Sequence, residues 1–122
     1  MDIKTFFEDV IKQDRERLKT YFHENALINW HCSNESFHVD EYIRVNCDYP
    51  GSWKGEIERL EENGNELILA ARVYSQEDDS SYHVVSFIRL KDDRIISMDE
   101  YWAEDEEAPE WRKILCIGRK IK

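Results

Sequence analysis

The chain has 122 residues, enough for one domain with one core and too few for two. Aromatic residues make up 12% of it, which argues against disorder, because rings bury much surface for each residue ordered. Lys and Arg number 17 against 27 Asp and Glu, and the net charge of −10 excludes nucleic acid as the main partner, since that role needs a basic surface.

No apolar run approaches the roughly 20 residues of a membrane span. Met1-Asp2-Ile3-Lys4 opens no apolar signal segment. Cys32, Cys47 and Cys116 are scattered, odd in number and without a CxxC pair. That fits reduced thiols in a cytoplasm, each a small buried or half-buried hydrophobe. With no HxxxH or HxH pair either, the reading is no metal, no cofactor and no membrane partner.

Ile3, Phe6, Phe7, Val10 and Ile11, then Leu18, Tyr21 and Phe22, recur at helical spacing, with Asp2 placed to cap the start. Asp14 interrupts the stripe, so a break is expected near 13–15. Residues 26–32 read as a strand, Ser33 to Ser36 as a turn, and 41–48 as a short helix capped by Asp40 and ended by Pro50-Gly51. Strands follow at 56–62, 66–75, 82–90 and 94–102. They are joined by Asn63-Gly64-Asn65, a polar turn at 76–81, and Asp92-Asp93. Helices first and an antiparallel meander after them make an α+β architecture. Residues 110–122 form a short basic tail of net charge +4, leaving −14 on the rest.

Strand 82–90 is apolar on both faces, which a solvated sheet face would not be. One face should therefore hold helices and a cavity, and the other a second copy of the chain.

The two-part helix, the long meander, Tyr49-Pro50-Gly51-Ser52-Trp53, Ser86-Phe87 and the stretch Arg94 to Trp102 resemble the nuclear-transport-factor-2-like superfamily over about residues 2–112. Its relatives include ketosteroid isomerases, scytalone dehydratases and SnoaL-type polyketide cyclases. The resemblance implies one SnoaL-like domain: a curved antiparallel sheet wrapped round helices as a cone, with an apolar pocket at the open end and usually a dimer through the outer face. It does not settle function, because the fold hosts enzymes and binding modules alike. Laid on this chain, the ketosteroid isomerase base falls at Trp30, its oxyanion acid at Val85 and its helix tyrosine near Phe6. A carbanion mechanism needs a base and oxyanion donors, so that mechanism in its standard form is ruled out.

If 91 opposes 94 across Asp92-Asp93, plain pairing sets 83 against 102, 85 against 100 and 87 against 98. The inward set is then Ile28, Trp30, Cys32, His83, Val85, Phe87, Met98, Glu100 and Trp102. A pocket bordered by Trp30, Val85, Phe87, Met98 and Trp102 is expected, with Trp53 closing the mouth over a small apolar or aromatic ligand. His83 and Glu100 become diagonal neighbours, a general base and its orienter in a lyase or isomerase, or else a satisfied polar pair. Arg72 and Arg89 lie within strands, their partners open. The outer set is Tyr82, Val84, Ser86, Ile88, Ile95, Ser97, Asp99 and Tyr101, expected to form a homodimer seam. The primary reading is a ligand-binding domain; the alternatives are that enzyme and a protein-interaction module using the outer face.

Overall fold

Two acids divide the N-terminal stripe into two helices. In the computed structural model, which describes residues 1–122, Asp2 accepts from the backbone N–H groups of Lys4 and Thr5 and caps α1 (Ile3–Lys12). Gln13 then turns left-handed with φ of 57°, and Asp14 caps α2 (Arg15–Lys19) by accepting from Arg17 N. The expected break is there. Tyr21 and Phe22 do not continue the helix; Phe22 opens β1 (Phe22–Trp30).

After a turn, residues 35–38 form a short strand, β2 (Glu35–His38), where the sequence suggested turn chemistry to residue 36. It pairs with β1 from Trp30 opposite Glu35 to Leu27 opposite His38. Helix α3 (Val39–Asp48) starts with Glu41 reaching back to accept from His38 N at 2.9 Å, not with Asp40 as the cap. The meander is β3 (Trp53–Asn63), β4 (Glu66–Ser75), β5 (Ser81–Lys91) and β6 (Arg94–Glu104). Helix α4 (Glu110–Leu115) follows and buries no residue.

The six strands form one sheet in the order β2-β1-β6-β5-β4-β3. The sheet is mixed and not wholly antiparallel, because β1 lies parallel to β6. Helices α1 and α3 pack on its inner face, against β3 and β1. Gly55 on β3 permits the α1 contact: a Cβ there would sit 2.7 Å from the Phe7 ring and 2.9 Å from Ile11. The core takes Leu67, Leu69, Ala71 and Val73 from β4, Val84 and Ile88 from β5, and Ile95 and Met98 from β6.

That last pair exposes the register. Residues 95 and 98 cannot share a face of a plain strand, where faces alternate. Lys91 does oppose Arg94 and Leu90 opposes Ile95, but Arg89 opposes Ser97, so Ile96 is an extra residue on β6. This bulge lets both Ile95 and Met98 bury. It also shifts all later pairing by one: His83 opposes Ala103, Val85 opposes Tyr101, and Phe87 opposes Asp99. The expected faces of β5 therefore exchange. Val84, Ser86 and Ile88 point in, and His83, Val85 and Phe87 point out.

Candidate functional site

A cavity of about 350 Å³ opens between the helices and the far ends of β3 to β6. Trp30 from β1, Tyr49 and Trp53 around the Pro50-Gly51 turn, Tyr82 from β5 and Trp102 from β6 border it. Their rings form a continuous arc. Centroid separations are 5.7 Å for Tyr49–Trp53, 6.0 Å for Trp53–Tyr82, 6.4 Å for Tyr82–Trp102 and 6.5 Å for Trp102–Trp30. Trp53 is pinned by an indole N–H donated to Pro50 O at 3.0 Å. Val10 and Ile11 of α1 and Val73 of β4 complete an apolar wall, and Cys32, Ser33, Glu35, Gln13 and Asn46 supply its polar part.

Beneath the arc lies Glu100, only 6% exposed. Trp30 Nε1 donates to its Oε1 at 3.0 Å and Trp102 Nε1 to the same oxygen at 3.3 Å. Ser86 Oγ donates to Oε2 at 2.5 Å. Burial pushes this carboxyl above its ordinary pKa, although the three donors oppose the shift. Tyr42, buried against Phe22 and Trp30, has its hydroxyl pKa raised well above normal by burial and then by the nearby Glu100 charge. Glu100 does not border the cavity; its indole partners do. It is placed to hold Trp30 and Trp102, not to touch a ligand.

The titratable groups at the cavity wall suit proton transfer poorly. Tyr49 and Tyr82 hydroxyls lie 3.4 Å apart, and that hydrogen bond, with burial, pushes Tyr82 up to about 12. Glu35 and Cys32 are exposed at the rim.

Of the residues expected at the pocket, Trp30, Trp53 and Trp102 border it together. Met98 faces inward but is fully buried in the core. Val85 and Phe87 lie on the outer face, moved there by the Ile96 bulge. The His83–Glu100 pair does not form, for the same reason: the two side chains occupy opposite faces. Outside, His83 Nδ1 contacts Asp105 Oδ1 and its Nε2 lies 3.2 Å from Glu58 Oε1. The Asp105 hydrogen bond raises the His83 pKa, against burial, which would lower it. At the three positions aligned with ketosteroid isomerase groups, Trp30 borders the cavity, Phe6 is core and Val85 is outside. Tyr49, Tyr82, Val73, Val10 and Ile11 also line the wall, outside the expected set. The spacing of apolar Ile95 and Met98 was the signal for the bulge that brings Tyr82 in.

The outer face carries exposed Leu27, Ile68, Phe87 and Tyr101. His31 stacks on Tyr101 at 4.6 Å and bonds Asp99 through Nε2 at 2.8 Å, which holds the Asp99 carboxyl below its ordinary range. Arg72 lies outside too, 4.4 Å from the Tyr74 ring centroid, and Arg89 pairs with Glu66 at 2.9 Å. Cys32 and Cys116 are exposed and only Cys47 is half-buried, so two of three thiols depart from the expected burial. No group of three His, Cys, Asp or Glu side chains is arranged as metal ligands. No helix is long and apolar enough to cross a membrane.

No family model and no curated sequence matches this chain. Solved structures do. A candidate ketosteroid isomerase from Kribbella flavida superposes with a TM-score of 0.81 at 19% identity, over 98% of this chain and 87% of that one. An NTF2-like protein of unknown function from Burkholderia xenovorans superposes with a TM-score of 0.78 at 16% identity, over 98% and 92%. The chain has the NTF2-like fold. A third protein of this fold, from Catenulispora acidiphila, was crystallised with trimethylamine and superposes with a TM-score of 0.72 at 12% identity, over 84% and 85%. Candidate SnoaL-like polyketide cyclases are also among these neighbours. At such identities the likeness is one of the NTF2-like backbone, and the side chains of this cone must speak for themselves.

Proposed function

We propose that this NTF2-like protein is a homodimeric binding domain that captures a small molecule in its aromatic cavity. The observation carrying this reading is the contrast between the cavity wall and the titratable groups. Five rings converge on one space, while His83 lies on the other face and Glu100 is screened behind two indoles. Aromatic walls supply contact area and orientation without a proton to move. Trimethylamine in the Catenulispora acidiphila protein shows a small molecule in complex with a neighbour of this fold, which supports capture as a use of such a protein.

Dimerisation through the outer face follows from the exposed Leu27, Ile68, Phe87 and Tyr101, which lie on neighbouring strands β1, β4, β5 and β6. A patch of this kind is uncomfortable in water. A two-fold contact covers it twice over, at about 800 Å² per partner for a stable interface.

The test is tryptophan emission during titration with a flat neutral probe, 2-naphthol, and with small alkylammonium ions. Saturable binding that weakens in Trp53→Leu or Tyr82→Leu supports capture. Turnover of any bound molecule would replace capture by catalysis. Sedimentation of the wild type as a compact monomer at micromolar concentration would remove the dimer.

A further inference from the structure

We infer that the ligand class of this cavity is an organic cation, an alkylammonium head on a small apolar body. This rests on the capture reading and deepens it.

Shape is the first ground. A flat ligand wants parallel rings to slide between. Successive rings of the arc are instead inclined to each other by 70°, 56°, 77° and 64°, from Tyr49 round to Trp30. Such a wall curves round a centre and fits a rounded group. Rings around a rounded cation act together, because each ring face carries the negative end of its quadrupole.

Charge is the second ground. No lysine or arginine borders the cavity, and its one carboxylate is Glu35 at the rim. Gln13 spends its amide donors on the carbonyls of Asn46 and Tyr49, at 2.9 Å and 2.8 Å. Asn46 donates to Val10 O at 3.1 Å. An anionic ligand would find no cation there, and of those amide donors only the second Asn46 N–H is left to receive it. The net charge of −10 draws cations toward the protein and repels anions.

The third ground is Glu100. Its Oε1 accepts from both Trp30 and Trp102 indoles. A carboxylate accepting an indole N–H pushes electron density into the ring and makes its face a better partner for positive charge. The buried acid then has a use beyond holding the rings: through the two indoles it favours a cation in front of them. The apolar strip of Val10, Ile11 and Val73 takes the uncharged remainder of the ligand.

The experiment compares choline with its neutral carbon isostere, 3,3-dimethylbutan-1-ol, by calorimetry on the full chain, with tetramethylammonium as the bare head and 2-naphthol as the flat neutral control. Choline should bind about tenfold or more tightly than the isostere, the scale of a desolvated cation–ring contact. Trp53→Leu and Tyr82→Leu should each remove most of that preference, and Trp53→Phe, which keeps a ring, should retain part of it. Equal binding of choline and isostere, or a preference unchanged in both ring-removal variants, overturns the inference. Binding of 2-naphthol alone overturns it while leaving capture intact. Binding of none of the four overturns both.

Discussion

The two buried carboxylates of this protein have nearly the same exposure and opposite electrostatics. Asp9, 4% exposed in α1, accepts from the Tyr21 hydroxyl at 2.5 Å and from Arg17 Nε at 2.9 Å. Glu100, 6% exposed in the sheet, accepts from one hydroxyl and two indoles. Burial pushes both pKa values up. At Asp9 the Tyr21 and Arg17 hydrogen bonds outweigh burial and the pKa ends below its ordinary value. At Glu100 no donor is charged, burial wins and the pKa ends above it. Donor count does not separate the sites: Glu100 lies deeper, so desolvation weighs more on it, and Asp9 alone has a full positive charge among its donors. Asp9 ties the elbow between α1 and α2 to the start of β1. Glu100 holds two uncharged indoles at the wall of a cavity.

The largest effect should come from a carboxylate with no donors at all. Ile88→Glu places one in the core beside Met98, its cross-strand partner, and should leave no folded soluble protein, read by circular dichroism. Next is Glu100→Leu, which orphans two indole N–H groups and the Ser86 hydroxyl. It should cost about 3 kcal/mol or more in urea unfolding, whereas Glu100→Gln, which keeps an acceptor, should cost about 1 kcal/mol. Equal losses in the two variants would mean that the donors do not depend on this oxygen.

Arg17→Leu should move Asp9 toward the behaviour of Glu100. With the charged donor gone, the Asp9 pKa should rise in an NMR titration, and stability at neutral pH should fall modestly. The guanidinium is itself more than half in water, which keeps the loss small.

The two acids should also give pH profiles of opposite sign. Asp9 is depressed, so its contribution is present above the unfolded value near about 4 and is lost as pH falls through the folded value. Glu100 is raised, so its folded form holds a proton the unfolded chain has released. Stability therefore declines as pH climbs from about 4.3 through the folded value, by at most about 1.4 kcal/mol per pH unit. Against Glu100→Gln the wild type should lose ground as pH rises across that window; against Asp9→Asn it should gain ground as pH rises toward 4. Parallel profiles would mean that one physical effect governs both sites. The smallest effect is Phe87→Glu, one residue from Ile88 and on the outer face. Monomer stability should stay within about 0.5 kcal/mol, while sedimentation should show any dimer weakened.

Much of the frame was written locally. Asp2 and Asp14 announce two helices, because a short carboxylate before an apolar stripe satisfies the free N–H groups of a first turn. Asn63-Gly64-Asn65 and Asp92-Asp93 announce hairpins: Gly64, Asp92 and Asp93 all take positive φ, which glycine and short polar residues adopt most readily. The alternation of β4 places Leu67, Leu69, Ala71 and Val73 on one side without further help. At the cavity, Trp30, Trp53 and Trp102 could be picked out as ring candidates, and Glu100 could be placed inward by parity along β6.

The faces of β5 belonged to the tertiary structure. The turn and its first pair, Lys91 opposite Arg94, were readable, but one extra residue at Ile96 reverses every side chain before Leu90. Local sequence carries the period of a strand but not its phase. The phase is set by which residues the whole core must bury, and here Ile95 and Met98 both had to go in. For the same reason the partners of Glu100 were not legible from the chain. Ser86 reaches it across the β5–β6 pairing, and Trp30 comes from β1, lying parallel beside β6. A hydrogen bond joining residues 70 apart in sequence exists only after the sheet has brought them together.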